Sequence, residues 1–154
     1  MTLIDAGQLY FSTARSPPIE GPSCKVINVD NAYVYDGYNS DFGPLTLNYV
    51  HKFVKEVDSM LSSRQGQKVV HHCGQSFKHQ ANGSFLIGAY LIISKNWSIS
   101  QVKDALGDSY LRSLRPFRDA GVGPDDFPLT VVDCLKGLER AIQLNWYRKS
   151  SFDC

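Results

Sequence analysis

The chain predicts an α/β fold: a small, mainly parallel sheet flanked by helices. Three observations lead there. Short runs rich in β-branched and aromatic residues, Leu9-Tyr10-Phe11, Lys25 to Val29 and Lys68 to His72, read as strands. Stretches with apolar residues at helical spacing follow them, so the order alternates. The composition, 43% hydrophobic and 20% charged over 154 residues, suits one compact domain and excludes disorder, collagen-like repetition and a coiled coil.

Leu9–Phe11 and Lys25–Val29 are separated by the breakers Pro17-Pro18 and Gly21-Pro22, and Tyr33-Val34-Tyr35 is a further candidate strand ending at Asp36-Gly37. Asp41-Phe42-Gly43-Pro44 resembles a helix start, with a capping residue and a proline near the first turn. Behind it, Val50, Phe53, Val54, Val57, Met60 and Leu61 form an apolar stripe, and Gln65-Gly66-Gln67 closes the helix. Asn82 to Ser94 is nearly all apolar and too long for a strand, so it reads as a buried helix. Ser98-x-x-Gln101 is a capping box introducing a short helix through Leu106. Gly107 to Pro124 is expected to be a loop, and a last helix runs from near Pro128 to Trp146. No internal repeat or linker interrupts the sequence, so residues 1–154 form one domain in this reading.

Lys and Arg number 16 against 15 acidic residues, a formal charge of +1. That balance gives no bulk attraction to nucleic acid or an anionic membrane, and neither is expected as a partner. The longest apolar run, Phe85 to Ile93, falls well short of the roughly 20 residues that span a bilayer. Met1 to Ala6 lacks the basic and apolar regions of a secretory signal. Cys24, Cys73, Cys134 and Cys154 are scattered and form no C-x-x-C pair. The pattern favours reduced thiols, so a soluble intracellular protein is expected.

In open α/β sheets, ligands sit where strand carboxyl ends meet helix N-termini. Here that junction is His71-His72-Cys73-Gly74-Gln75-Ser76-Phe77-Lys78-His79-Gln80. A buried strand, His-Cys, a short loop and a helix suggest cysteine-dependent phosphatase chemistry. That chemistry needs a thiolate nucleophile held ionised by loop amides. It also needs an arginine six residues on, forking onto the phosphoryl oxygens in the transition state. His79 stands at that position and Gln80 follows, and neither replaces a permanently charged fork. The loop reads as degenerate. Cys73 is kept as an alternative nucleophile, and a residual anion site at Cys73, Gly74, Gln75, Ser76, Lys78 and His79 is a binding candidate, since amides at a helix N-terminus attract anions.

Cys134-Leu135-Lys136-Gly137-Leu138-Glu139-Arg140 fits C-x-x-G-x-x-R better as text. Against it stand Asp133, whose charge opposes a thiolate, and Glu139 inside the supposed cradle. Val132, Leu135, Leu138 and Ile142 also keep helical spacing through the segment, making Cys134 a small apolar helix residue. A catalytic pair Cys134 and Arg140 is kept as an alternative. His71, His72, Cys73 and His79 make a poor zinc cluster, because adjacent strand residues point to opposite faces. No metal or other cofactor is expected. Arg112, Arg115 and Arg118 form a local basic patch in which Arg118 could reach a phosphate, or be paired internally with a carboxylate.

Four ordered blocks carry a resemblance: Asp41-Phe42-Gly43-Pro44-Leu45; Gln80-Ala81-Asn82 with Phe85-Leu86-Ile87-Gly88-Ala89-Tyr90; Pro116-Phe117-Arg118-Asp119-Ala120; and Leu129 through Asp133-Cys134-Leu135. Together with Leu9–Phe11 they make the chain similar to the N-terminal domain of the cell-division-cycle-fourteen dual-specificity phosphatases, over essentially its whole length. The resemblance implies a three-layer, dual-specificity-phosphatase-like fold with a degenerate phosphate loop and no catalysis of its own. It implies a catalytic domain beyond residue 154, on which this one packs and with which it selects phosphoprotein substrates in mitotic exit. It implies a cytoplasmic or nuclear setting, with centrosome, basal body or spindle as stations. It also makes Cys134 a helical core residue. One departure stands out. The family's linker after the last helix is acidic, whereas Trp146 to Asp153 here carries Arg148 and Lys149, which would repel a basic substrate residue. A free-standing phosphopeptide-binding pseudophosphatase is the other alternative.

Overall fold

The computed structural model describes residues 1–5, 8–63 and 66–152, so Ala6, Gln65, Asp153 and Cys154 lie outside the described residues. The elements in order are β1 (Thr2–Asp5), β2 (Leu9–Ser12), β3 (Cys24–Ile27), α1 (Leu47–Ser63), β4 (Lys68–His72), α2 (Phe77–Lys95), α3 (Ile99–Leu106), α4 (Asp108–Ser113) and α5 (Val131–Gln143). The strands form one sheet in the order β1-β2-β4-β3. β2 and β3 both run parallel to β4, and β1 is antiparallel to β2. The small, mainly parallel sheet flanked by helices is therefore the fold adopted.

One sheet face, made by Leu9, Phe11, Ile27, Val69 and His71, belongs with the helices. Leu9 pairs with Val69 and Ile27 with His71 across the ladder, and all five are buried. His71 shows the contact directly: its ring stacks on Phe11 at 5.6 Å and meets Phe53 of α1 at 4.7 Å. α2 is the axis of the domain. Every residue from Ala81 to Ile92 is buried, because α1 packs on one side and α5 on another. A helix apolar all round has no solvent face, which is why Asn82–Ser94 shows no amphipathic stripe. Among the described residues, no helix is long and apolar enough to cross a membrane.

Six expectations need correction. β1 was not foreseen; four residues of which only Ile4 is firmly in the core give a weak pattern. Tyr33–Tyr35 is no strand. The amides of Ala32 and Tyr33 both donate to the Val29 carbonyl, making a turn, and the Tyr33 ring stacks on Tyr49 of α1 at 4.8 Å. The first helix begins at Leu47, not Asp41. Asp41 instead closes a turn, its carboxylate accepting from the Asn39 amide and the Tyr35 hydroxyl, each at 2.7 Å. α2 starts at Phe77, five residues before the apolar run that announces it. The expected loop from Gly107 contains α4, and the last helix is shorter at both ends than Pro128–Trp146. Its start is fixed by Thr130 and Asp133, a reciprocal capping box.

Candidate functional site

β4 runs out at His72, and the chain turns through Cys73, Gly74 and Gln75 to Ser76, the cap of α2. The Ser76 hydroxyl accepts the His79 amide at 3.1 Å, so helix begins within the stretch that would wrap a phosphate in an active enzyme. Cys73 donates its amide to the Ser12 carbonyl and is wholly buried. Behind it lies Gly83 of α2. A Cβ there would come within 2.7 Å of the Cys73 Cβ and Sγ, so only glycine permits this approach of helix and strand end.

That burial, with the Asp30 carboxylate nearby adding to it, pushes the Cys73 thiol up to about 12. At neutral pH it is a protonated thiol, the reverse of a phosphatase nucleophile. Asp30 is the residue that sequence reasoning missed. It stands just past the carboxyl end of β3, and its Oδ2 accepts the Gly74 amide at 2.7 Å. The same oxygen lies 3.5 Å from His79 Nδ1. An internal carboxylate thus holds a loop amide that an anion would use. The available signal was Asn28-Val29-Asp30 at the end of a parallel strand, where open sheets gather their site residues.

The rest of the junction is packed, not convergent. Phe77 sets its ring edge-on to Phe42 at 5.7 Å, and the Arg115 guanidinium lies over Phe77 at 4.6 Å. The Lys78 ammonium lies over the Phe42 ring at 5.5 Å. Gln80 reaches back to the Gln75 carbonyl at 3.4 Å. Asn82 accepts from the Leu45 amide and donates to the Gly43 carbonyl, tying the Asp41–Leu45 block to α2. A cavity of about 120 Å³ lies beside the loop, walled by Asp30, Tyr33, Tyr35, Phe42, Lys78 and His79.

The other sequence candidates lie elsewhere. Arg118 pairs its backbone with Phe42, and its side chain donates to the Gly123 carbonyl at 3.1 Å and lies 3.9 Å from Asp125. Its charge pins its own loop. Arg112 bonds Asp108 at 2.7 Å, so the three arginines do not meet on one site. Cys134 and Arg140 do not form a phosphate loop, which corrects the alternative built on them: both lie in α5. Six residues place them about 120° apart around a helix axis. The Cys134 thiol, pushed up to about 11 chiefly by burial, faces the core, while Arg140 reaches toward Gln143 at 3.4 Å. His71 and His72 point to opposite faces, one toward the Gly83 carbonyl and one toward Ser12. Among the described residues, no three His, Cys, Asp or Glu side chains are placed to share a metal ion. In the tail, Lys149 binds Asp58 and the Ser94 hydroxyl, while Arg148 is exposed.

Comparison with known proteins supplies the relationship. The family described as "Dual specificity protein phosphatase, N-terminal half" matches residues 3–141. Dual specificity protein phosphatase CDC14AB of Danio rerio is 32% identical over 148 residues, 95% of this chain and 24% of the relative. Dual specificity protein phosphatase CDC14A of Homo sapiens is also 32% identical over 148 residues, 95% of this chain and 25% of the relative. Tyrosine-protein phosphatase cdc-14 of Caenorhabditis elegans is 28% identical over 166 residues, 99% and 23% of the two chains. This chain spans about a quarter of the length of these relatives. With a match that runs through the sheet, the Cys73 junction and most of α5, this chain belongs to the family of dual-specificity phosphatase N-terminal halves.

Proposed function

We propose that this chain is the non-catalytic N-terminal domain of a protein phosphatase acting on phosphotyrosine and phosphoserine or phosphothreonine. In this reading it packs on the catalytic domain of the same protein and helps select phosphoprotein substrates in cell-cycle control. Its setting is the cytoplasm or nucleus, with centrosome, basal body or spindle as candidate stations. One observation carries the absence of catalysis here: the buried, protonated Cys73 with Asp30 bound to the Gly74 amide. A thiol without charge cannot attack phosphorus, and a carboxylate at the loop repels the substrate's phosphate.

The selective role rests on the kinship and on the tail. Because Lys149 is neutralised by Asp58, the repulsion of a basic substrate residue expected from Arg148 and Lys149 falls to Arg148 alone. The purified chain is expected to leave an aryl phosphate intact, and Cys73 is expected to stay unalkylated by iodoacetamide at pH 7 until the chain is unfolded. Turnover that Cys73→Ser abolishes, or rapid native alkylation of Cys73, would overturn the reading. Reading the coding frame past Cys154 for H-C-x-x-G-x-x-R tests the catalytic partner domain independently.

A further inference from the structure

A serine or threonine followed by proline occurs once in the chain, at Ser16-Pro17. It sits in the connection from β2 to β3, flanked by Arg15 and Pro18. The segment is fastened at both ends and loose between them. On one side the Ala14 amide reaches the Ser12 hydroxyl at 3.4 Å; on the other, Glu20 accepts the Val26 amide at 3.0 Å. From Arg15 to Ile19, no residue belongs to a helix or strand, and no hydrogen bond joins this stretch to any described residue. Arg15, Ser16 and Pro17 are exposed, and Ile19 is 93% exposed.

We infer that Ser16 is a phosphorylation site for a proline-directed protein kinase. Such an enzyme must lay several substrate residues along its cleft in extended form. Helical serines such as Ser59 and Ser113 would have to be unwound first, and Ser12 is buried at the end of β2. At Ser16 nothing is broken. Pro17 has no N–H to satisfy, and it biases Ser16 itself toward the extended conformation. In the transfer, the Ser16 hydroxyl oxygen attacks the γ-phosphorus of ATP. The new O–P bond forms as the bond from that phosphorus to the bridging oxygen breaks; ADP departs, and the hydroxyl proton passes to the kinase's carboxylate.

The product carries about two negative charges at pH 7, enough to turn the chain's formal +1 negative. Ser16 follows, by four residues, the last residue of β2, Ser12, which pairs with His72 of β4. Incubation of the folded chain with ATP and a cyclin-dependent kinase is expected to add a single phosphate, mapped by mass spectrometry to Ser16. Ser16→Thr should keep the label, and Ser16→Ala and Pro17→Ala should lose it. A peptide of residues 11–22 serves as the reference for kinase competence. Labelling of the peptide but not of the folded chain would overturn the inference, as would an unlabelled peptide or equal labelling of Ser16→Ala.

Discussion

His71 and Asp30 show how little room single residues leave for catalysis at the Cys73 junction. His71 is fully buried between Phe11 and Phe53, and burial lowers its pKa to about 4, against weaker opposing pulls from the Gly83 and Ile27 carbonyls. It is therefore a neutral ring that donates from Nε2 to Gly83, a core histidine and not a general base. The unfolded chain takes up this proton near pH 6.5 while the folded chain refuses it until about 4. Stability is thus fully present above pH 6.5 and falls as the pH drops toward 4, by about 3 kcal/mol for this one residue. His51, whose pKa is also lowered by burial and by Lys55 and Lys149, acts in the same direction. Urea midpoints measured at pH 7 and pH 4.5 should differ accordingly. His71→Leu should flatten the dependence even though it removes a hydrogen bond; an unchanged slope would contradict the assignment.

Among the elements, α2 decides most. Its first turn supplies the junction's cap, its middle seals Cys73, and Gly88 lets α5 come close, since a Cβ there would meet Leu135 at 2.7 Å. An alanine in a helix interior ordinarily gains about 1 kcal/mol over glycine. At Gly83 the steric term must win, because the obstructing atom is the Cys73 Cβ, fixed to the strand end, and not a flexible tip. Gly83→Ala is expected to destabilise by about 1–3 kcal/mol, the usual cost of overpacking. Thermal unfolding of the variant measures this directly. A rise in Tm would mean that β4 and α2 can slide apart at no cost. The apolar run is what made α2 visible in the sequence, and it also hid the helix's polar first turn, Phe77–Gln80.

At the scale of the whole molecule, the tail after α5 returns to the body. Tyr147 is buried, its hydroxyl 2.8 Å from His51 Nδ1, and Phe152 lies against the same ring at 4.9 Å. Lys149 adds its contact with Asp58 and Ser94, so the segment is fixed on α1 and α2. Tyr147→Phe should cost about 1–3 kcal/mol by stranding a buried imidazole nitrogen. For a chain of this size that is a fall in Tm of several degrees. Hydrogen exchange should rise locally across residues 144–152. Unchanged stability and exchange would show that the ring contacts alone hold the tail.

The sequence by itself determined the fold class, the capping box of α3, the buried run of α2 and the mismatch at His79, because helical spacing, caps and a missing guanidinium are local facts. It also weighed against a phosphate loop at Cys134, since Val132, Leu135 and Leu138 keep helical spacing, but the observed helix α5 is what removed that alternative. Only the tertiary structure decided what Cys73 is. Its charge state depends on Gly83, ten residues on in α2, and on Asp30, forty-four residues from Gly74, the loop amide it holds. Nor could spacing show that Tyr33–Tyr35 would leave the sheet for Tyr49, or that Lys149 would meet Asp58. Burial and charge pairing are sums over neighbours that only the folded chain brings together.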